Sequence, residues 1–373
     1  MTRFLHTADW QIGRQYGSFD PDDAVPLAEA RFAAVERIAA LATAEQVDAV
    51  LVAGDVFDAQ TVSARSIRRL FNALAAYAGP WVMIPGNHDA ALAESVWTHA
   101  QRLGAVPPHV HLALSPGVIE LPQARLACLC APLTQRHTHG DLTAWFDGAT
   151  TPAGWHRVGL AHGAVQGLLA EGIDAANPIA PERAERARLS YLALGDWHGT
   201  RRIDGRTWYS GTPEPDRFRN NEAGQVLIVD LPEPAESPDA PQGRALPSAQ
   251  FSWRQMNTAL QVPSDLDALL SALAGAGAQD VIELTLSGAL DLPAHTRLLQ
   301  ALDQTEARVR CLRRDLAALQ LAPTEADLAA LHADGYVGEV ITALRQTSGE
   351  QARCAQDALA LLTGLLAARR PAA

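Results

Sequence analysis

Trp81-Val82-Met83-Ile84-Pro85-Gly86-Asn87-His88-Asp89 is the stretch on which the reading of this 373-residue chain turns. A short apolar run of strand type ends in Pro-Gly and is followed at once by an amide, an imidazole and a carboxylate. Polar side chains at the carboxyl end of a buried strand lie where open α/β sheets place their ligands. Taken singly, the tetrad would serve equally well to cap the next helix. Its company decides the matter. Asp9 closes Phe4-Leu5-His6-Thr7-Ala8, and Asp55 and Asp58 follow Ala49-Val50-Leu51-Val52. His162 ends Val158-Gly159-Leu160-Ala161, and Asp196 and His198 follow Tyr191-Leu192-Ala193-Leu194. Five apolar strands each deliver metal-ligating or proton-transferring groups at the same kind of end.

In order and spacing these residues resemble the calcineurin-like metallophosphoesterases, and within them the SbcD nuclease family, bacterial counterpart of the eukaryotic double-strand-break repair nuclease. The resemblance rests on H-T-A-D-W-Q-I-G at 6–13, G-D-V-F-D at 54–58, G-N-H-D at 86–89, A-H-G at 161–163, G-D-W-H at 195–198 and Y-S-G-T-P at 209–213. It covers about the first 230 residues. It implies an α/β fold, a calcineurin-like β-sandwich of two sheets flanked by helices, with a small α+β capping domain and a helical C-terminal tail. The corresponding expectation is a nuclease domain over 1–256, a capping domain over 257–320 and a tail over 321–373 that binds a partner or docks on its own chain.

The resemblance also implies the chemistry. A phosphodiester repels nucleophiles and has a poor leaving group; two divalent ions about 3.5–4 Å apart lower the pKa of a bridging water and stabilise both attacking and leaving oxygens. By resemblance Asp55 bridges the ions, Asp9, Gln11 and His198 complete one site, and Asn87, His162 and Asp196 complete the other. His88 is then the general acid, with Asp89 orienting its imidazole and Asp58 outside the ligand set. The implied activity is DNA phosphodiester hydrolysis, 3′ to 5′ exonucleolytic with some endonuclease action, in DNA repair and in complex with an SbcC-type coiled-coil ATPase. Family members also tend to form a homodimer through helices of the catalytic domain, and Leu70, Phe71 and Leu74 suit either that contact or the core.

Two positions depart from the family pattern. Where SbcD-like enzymes carry D-x-H this chain has Asp9-Trp10-Gln11, and where they carry G-H-x-H it has Gly195-Asp196-Trp197-His198. Exchanging two imidazoles for oxygen donors shifts preference toward Mn²⁺, or Mg²⁺, and away from Zn²⁺. Trp10 and Trp197 inside these motifs suit either a wall for a stacked base or packing beneath the site. Two other readings stand beside the nuclease. One is a phosphoesterase of the same superfamily acting on a nucleotide, small phosphodiester or phosphoprotein. The other is a weakly active subunit that recruits a partner.

Composition bounds these readings. A net charge of −12 argues against a nucleic-acid binder that grips through overall charge, so any DNA contact must be local or shared. All 30 basic residues are Arg, and Arg65, Arg68 and Arg69 cluster on one helix as a solvated face or a backbone contact. Four cysteines without a CxxC pair suggest a reducing compartment, with Cys128 and Cys130 on one side of a strand. Neither a leader nor an apolar run of about 18 residues appears, so the expectation is a cytoplasmic protein without a membrane span.

Along the chain, residues 1–90 read as strand, helix, strand, helix, strand, with helices over 27–46 and 62–78. Short strands fill 109–131, and a second half-sheet is expected from 191–194, 207–210 and 225–231. Residues 232–248, with five prolines, read as a linker. Beyond it come a strand at 249–256, helices over 266–273 and 293–302, strands over 281–286 and 307–312, and a helical tail from 323 opened by Thr324 and Asp327.

Overall fold

The computed structural model describes residues 1–167, 176–233, 241–330 and 335–368. These divide into two compact units, Met1–Ser252 and Trp253–Ala373.

The first unit begins with β1 (Thr2–Thr7), α1 (Pro21–Ala44), β2 (Ala49–Ala53), α2 (Ala64–Ala73), β3 (Trp81–Ile84), α3 (Val96–Arg102) and β4 (Val110–Leu112). It continues with β5 (Gly117–Leu121), β6 (Leu126–Ala131), β7 (His156–His162), β8 (Ala164–Val165), β9 (Pro178–Ile179), α4 (Arg183–Arg186), β10 (Tyr191–Gly195), β11 (Arg201–Arg202), β12 (Thr207–Tyr209), β13 (Gln225–Leu231) and β14 (Gln242–Pro247). One six-stranded sheet has the order β14-β13-β1-β2-β3-β4 and the other β11-β12-β10-β7-β6-β5; β8 and β9 form a separate pair. The central strands β1 to β4 run parallel, as do β6, β7, β10 and β12. Parallel strands covered on both faces explain the unbroken apolar runs.

Between the sheets Phe4, Leu51, Val82 and Ile84 meet Leu126, Cys128, Cys130, Val158, Leu160 and Tyr191. Both cysteines of β6 therefore face the same layer. Outside the first sheet Leu5, Val50, Val52 and Met83 pack against Val35 and Ile38 of α1 and Ile67, Leu70 and Phe71 of α2. Leu70, Phe71 and Leu74 are thus core residues and offer no surface for a second subunit. Outside the second sheet Leu129, Ala161, Leu192 and Leu194 pack on Phe146, Ala184 and Leu189. His6 is a polar tie across the inner layer, with Nδ1 3.1 Å from the Tyr191 hydroxyl and Nε2 3.2 Å from the Leu194 carbonyl. Burial lowers its pKa to about 3, so the ring is neutral, donating through Nε2 and accepting at Nδ1.

Three expectations are corrected in this unit. Residues 225–231 do not extend the second sheet; β13 returns to the first, antiparallel to β1, with Phe4 opposite Val229. Its apolar pattern specified a strand but not a partner. The linker reading of 232–248 fails at β14, which pairs with β13 along the sheet edge. An edge strand tolerates Pro247 at its end and leaves most of its residues exposed, which removes the apolar signature; residues 234–240 lie outside the described residues. The helix expected over 62–78 is shorter, Ala64–Ala73, capped by Ser63 Oγ accepting from the Ser66 amide and followed by one 3₁₀ turn.

The second unit contains β15 (Ser252–Leu260), α5 (Pro263–Ala274), β16 (Asp280–Leu290), α6 (Leu292–Glu306) and β17 (Cys311–Leu321), then α7 (Glu325–Ala330), α8 (Tyr336–Gln346) and α9 (Ala352–Ala368). β16 and β17 run parallel through the α6 crossover, and the sheet order is β15-β16-β17. Leu266, Leu269, Leu298 and Leu302 cover Ile282, Leu284 and Leu286. The last strand starts later than expected: residues 307–309 close α6, with the Arg308 and Val309 amides bonded to the Thr305 carbonyl. Thr324 and Asp327 do form a reciprocal cap, the Asp327 amide donating to Thr324 Oγ1 and the Thr324 amide to Asp327 Oδ2. Residues 331–334 and 369–373 of the tail lie outside the described residues. No described helix is long and apolar enough to cross a membrane.

Candidate active site

The loops that follow β1, β2 and β3 in one sheet and β10 in the other carry Asp9, Asp55, Asn87 and Asp196, and His162 is the last residue of β7. Asp9, Gln11, Asp55 and Asp196 have left-handed φ angles of +56°, +51°, +53° and +98°. Such backbone costs of order 1 kcal/mol per residue, and it persists where the surroundings over-determine it. Here the surroundings are a ladder between two loops: the Asp9 amide donates to the Gly54 carbonyl, Gln11 to Asp55, Ile12 to Val56 and Asp58 to Ile12. Thr212 Oγ1 donates to the Asp9 carbonyl from a third loop, and buried Arg31 holds the Trp10 carbonyl at 2.8 Å. Two glycines make room for the side chains. A Cβ on Gly54, whose φ is +92°, would lie 2.4 Å from His162 Nδ1, and one on Gly86 would lie 2.2 Å from Asp55 Oδ1.

Ligand atoms of Asp9, Asp55 and His162, all buried, lie within 4.8 Å of one another. His162 Nδ1 is 2.8 Å from the Ala53 carbonyl and donates to it, leaving the Nε2 lone pair directed into the cluster. From that Nε2 it is 3.1 Å to Asn87 Oδ1, 3.6 Å to Asp55 Oδ1 and 3.7 Å to Asp196 Oδ1. The Asp196 amide donates to the Asp9 carboxylate at 3.2 Å. Asp55 sits centrally, with Oδ1 accepting from the His88 amide at 2.9 Å and Oδ2 accepting from Gln11 Nε2 at 2.8 Å. His88 Nδ1 is 2.9 Å from the Asp58 carbonyl, which turns Nε2 toward Asp55 Oδ2 at 4.0 Å.

The charges are crowded. Burial pushes the Asp9 carboxyl up to about 6, against the pull of His198 and His162. Burial works the other way on His162, but the Asp55, Asp9 and Asp196 carboxylates overcome it and raise the imidazole to about 9. A buried set of carboxylates that drives its own members toward protonation is a site made for cations.

The calcineurin-like phosphoesterase family model matches residues 2–173. The SbcD component of the SbcCD nuclease of Rhodobacter capsulatus is 30% identical over 302 residues, 66% of this chain and 70% of the relative. The chain belongs to the SbcD-like metallophosphoesterase family. The corresponding Bacillus subtilis protein is 26% identical over 71% of this chain and 75% of its own length. A DNA double-strand break repair protein Mre11 of Methanosarcina acetivorans is 27% identical, covering 61% of this chain and 36% of the relative.

Membership of this family implies divalent metal ions, and the donor set of this SbcD-like chain fits them. Asp9, Asp55 and His162 offer oxygen, oxygen and nitrogen at one point, with Asn87 and Asp196 oxygens beside them. Gln11 Oε1 is buried with no hydrogen-bond partner among the described residues, an acceptor waiting for a positive charge. The other amide atom, Nε2, is the one that faces Asp55.

Of the residues singled out from sequence, Asp9, Asp55, Asn87, His162 and Asp196 converge, and Gln11 joins them through Asp55. His198 is not part of the Asp9, Asp55 and His162 group, and its Nδ1 is 3.1 Å from Asp216 Oδ1 and 3.0 Å from Arg217 Nη2. Its charge nevertheless reaches Asp9. The expectation that Asp89 orients His88 is corrected. The fully buried Asp89 carboxylate accepts from the Gly86 amide at 2.6 Å and the Phe57 amide at 3.1 Å, so it shapes the loop, and the Asp58 carbonyl orients the imidazole. Trp10 is buried, donating to Thr7 Oγ1 and packed edge-on to Trp81; it cannot stack a base. Trp197 is half-buried under the Arg201 guanidinium.

Sequence reasoning missed Asp216 and Arg217. Burial alone would raise the Asp216 carboxyl, but His198, Arg217 and Arg31 hold it far below the usual carboxylate range. Arg14 reaches it too, at 3.4 Å, and bonds Asp58 at 3.2 Å. The available signal was position: Pro215-Asp216-Arg217 follows one residue, Glu214, after Y-S-G-T-P.

Proposed function

We propose that this chain is a metal-dependent DNA nuclease that hydrolyses phosphodiesters at a dinuclear centre. Asp55 would be shared by both ions, with Asp9, Gln11 and His198 holding one and Asn87, His162 and Asp196 holding the other. The observation that carries the reading is the buried convergence of Asp9, Asp55 and His162 below His88, in a chain similar to nuclease components. Divalent ions bound there supply an activated water and offset the charge of the phosphate. The metal is Mn²⁺, with Mg²⁺ as the alternative, because oxygen donors outnumber imidazoles.

The residues of the chain do the rest. With the Nδ1 proton of His88 committed to the Asp58 carbonyl, any further proton on the ring sits on Nε2, the atom facing the cluster. Handing that proton to the departing oxygen leaves a neutral imidazole and a neutral alcohol. Asp89 keeps the loop that carries His88 rigid. Asp216 holds His198, and Arg217 adds positive charge where the phosphate must approach. The full reading places the chain in DNA repair, as a 3′ to 5′ exonuclease with endonuclease action beside an SbcC-type coiled-coil ATPase. Exposed Leu361 and Leu365, one turn apart on α9, support a partner-binding role for the tail.

A second reading, a weakly active subunit, draws on Gln11, whose amide nitrogen faces Asp55. Cleavage of end-labelled single- and double-stranded DNA in Mn²⁺, beside Asp55→Ala and a small diester, separates the readings. DNA cleavage lost in the variant supports the nuclease. Cleavage of the small diester alone favours a phosphoesterase of smaller substrates, and silence on both, with fewer than two metals bound per chain, favours the weakly active subunit.

A further inference from the structure

A cavity of about 190 Å³ opens beside His88, and no role assigned above uses it. Its walls include Asp58, Gln60, Asn87, Ala90, Leu92 and Arg136. Most of the polar groups are already committed. The Asn87 carbonyl oxygen faces His162, the Asp58 carboxylate takes Arg14, and Gln60 spans the Ala90 carbonyl at 2.9 Å and the Val96 amide at 3.1 Å. Two groups remain: His88 Nε2, whose nearest charged partner is Asp55 Oδ2 at 4.0 Å, and the guanidinium of Arg136, for which the described residues supply neither an ion pair nor a side-chain hydrogen bond. Ala90 and Leu92 contribute an apolar strip, and Leu92 is 40% exposed.

Among the described residues the Arg136 side chain has no partner, but its backbone is pinned from both sides. The Leu133 amide bonds the Pro85 carbonyl and the Ala91 amide bonds the Leu133 carbonyl, tying this segment to the His88 loop. Asn177 Nδ2 donates to the Arg136 carbonyl at 3.2 Å, and the Thr138 amide donates to Asn177 Oδ1 at 2.8 Å. An anchored backbone that presents an uncommitted fork-shaped cation matches what bidentate phosphate recognition requires. The cavity is smaller than the roughly 300–1,000 Å³ of a drug-sized site, so it takes one sugar-phosphate and not a run of bases.

We propose that Arg136 and Leu92 form a subsite for the nucleotide on the leaving-group side of the scissile phosphate. Arg136 pairs with the next phosphate of the strand, while Leu92 and Ala90 meet the apolar face of the sugar or base. The inference rests on the phosphodiesterase reading and on His88 facing the departing oxygen. It makes the preferred substrate one that carries a second phosphate beyond the bond that breaks.

The test compares a single-stranded oligonucleotide with bis(p-nitrophenyl) phosphate, in Mn²⁺, for the parent chain, Arg136→Ala and Arg136→Lys. In Arg136→Ala the ratio of kcat/KM on the oligonucleotide to that on the small diester falls about tenfold, chiefly through KM, as expected for one charge-assisted pair at an exposed site. Arg136→Lys recovers part of the loss, because a point charge replaces the fork. The slope of log affinity against log salt becomes shallower by about one phosphate contact in Arg136→Ala. A merely structural role would depress both substrates together, and an unchanged ratio overturns the subsite. Anisotropy of the labelled oligonucleotide separates this inference from the activity reading. If the parent cleaves nothing yet Arg136→Ala still weakens binding about tenfold, the Arg136 phosphate contact stands while the catalytic reading, and with it the leaving-group placement, falls; equal binding by parent and variant sinks the contact itself.

Discussion

Without metal, the cluster should make the protein lose stability as pH rises from neutral, and metal should reverse the trend. The perturbation is chelation. His162 is buried with an imidazole raised to about 9 by Asp55, Asp9 and Asp196, against an ordinary value of 6.5. A folded-state value above the unfolded one means that the stabilising contribution is fully present below pH 6.5 and is lost as pH climbs through 9. At about 1.4 kcal/mol per pH unit of displacement this amounts to about 3 kcal/mol. Asp9, raised to about 6 by burial, acts in the same direction at lower pH: its folded state holds a proton that the unfolded chain releases, so stability falls between about 4 and 6. For a unit of this size 1 kcal/mol moves Tm by roughly 2–4 °C, so the His162 contribution alone lowers Tm by about 5–10 °C from pH 6.5 to 9. Divalent ions bind the deprotonated ligands and release protons, so the stabilisation they confer grows with pH. Scanning calorimetry from pH 5 to 9, in chelator and in excess Mn²⁺, measures both arms. A Tm in chelator that is flat or rises between pH 6.5 and 9, or a metal-dependent gain that shrinks over that range, would refute the reasoning.

His88→Ala leaves metal content intact and slows cleavage by about 10²–10⁴-fold; loss of metal in parallel, measured by elemental analysis, would make His88 a ligand instead of a proton donor. Gln11→His replaces an amide whose nitrogen faces Asp55 and whose oxygen is orphaned, so metal affinity should rise in isothermal titration, and no change would show that this position stays outside the ligand set. Gly86→Ala drives a Cβ to within 2.2 Å of Asp55 Oδ1. It should abolish metal binding while far-UV circular dichroism stays that of the parent, and retained activity would mean that the Asp55 loop yields more easily than its hydrogen bonds suggest.

The convergent residues were legible because each follows an apolar run, and parallel strands that end at one edge of a sheet bring their last residues together. Asp9, Asp55, Asn87, His162 and Asp196 needed no more than that logic. Asp89 was misread because a carboxylate next to a histidine in sequence looks like its partner. The fold of the loop instead sends the Asp89 side chain to the Gly86 and Phe57 amides. Asp216 and Arg217 lay in what reads as an ordinary loop, and only the folded chain shows that His198 leans on them. Left-handed backbone at Asp9, Gln11, Asp55 and Asp196 leaves no mark on composition, since these residue types fill ordinary turns as readily. At β13 the four residues Val226-Leu227-Ile228-Val229 announce a strand, but an apolar run carries no address.

That address sets the order in which the protein can be made. β1 is synthesised before the other described strands, yet it lies in the middle of its sheet, with β2 on one side and β13 on the other. Thr2 must wait for Leu231 before one of its flanks is covered, and long-range pairing of this kind is slow. The Asp9 and Asp55 loops can meet while the chain is short, but His162 and Asp196 arrive later, from the opposite sheet. Until β7, β10 and β13 have followed, a nascent chain therefore carries two uncovered carboxylates and an open strand edge, which is when chaperones and stray cations have access to it.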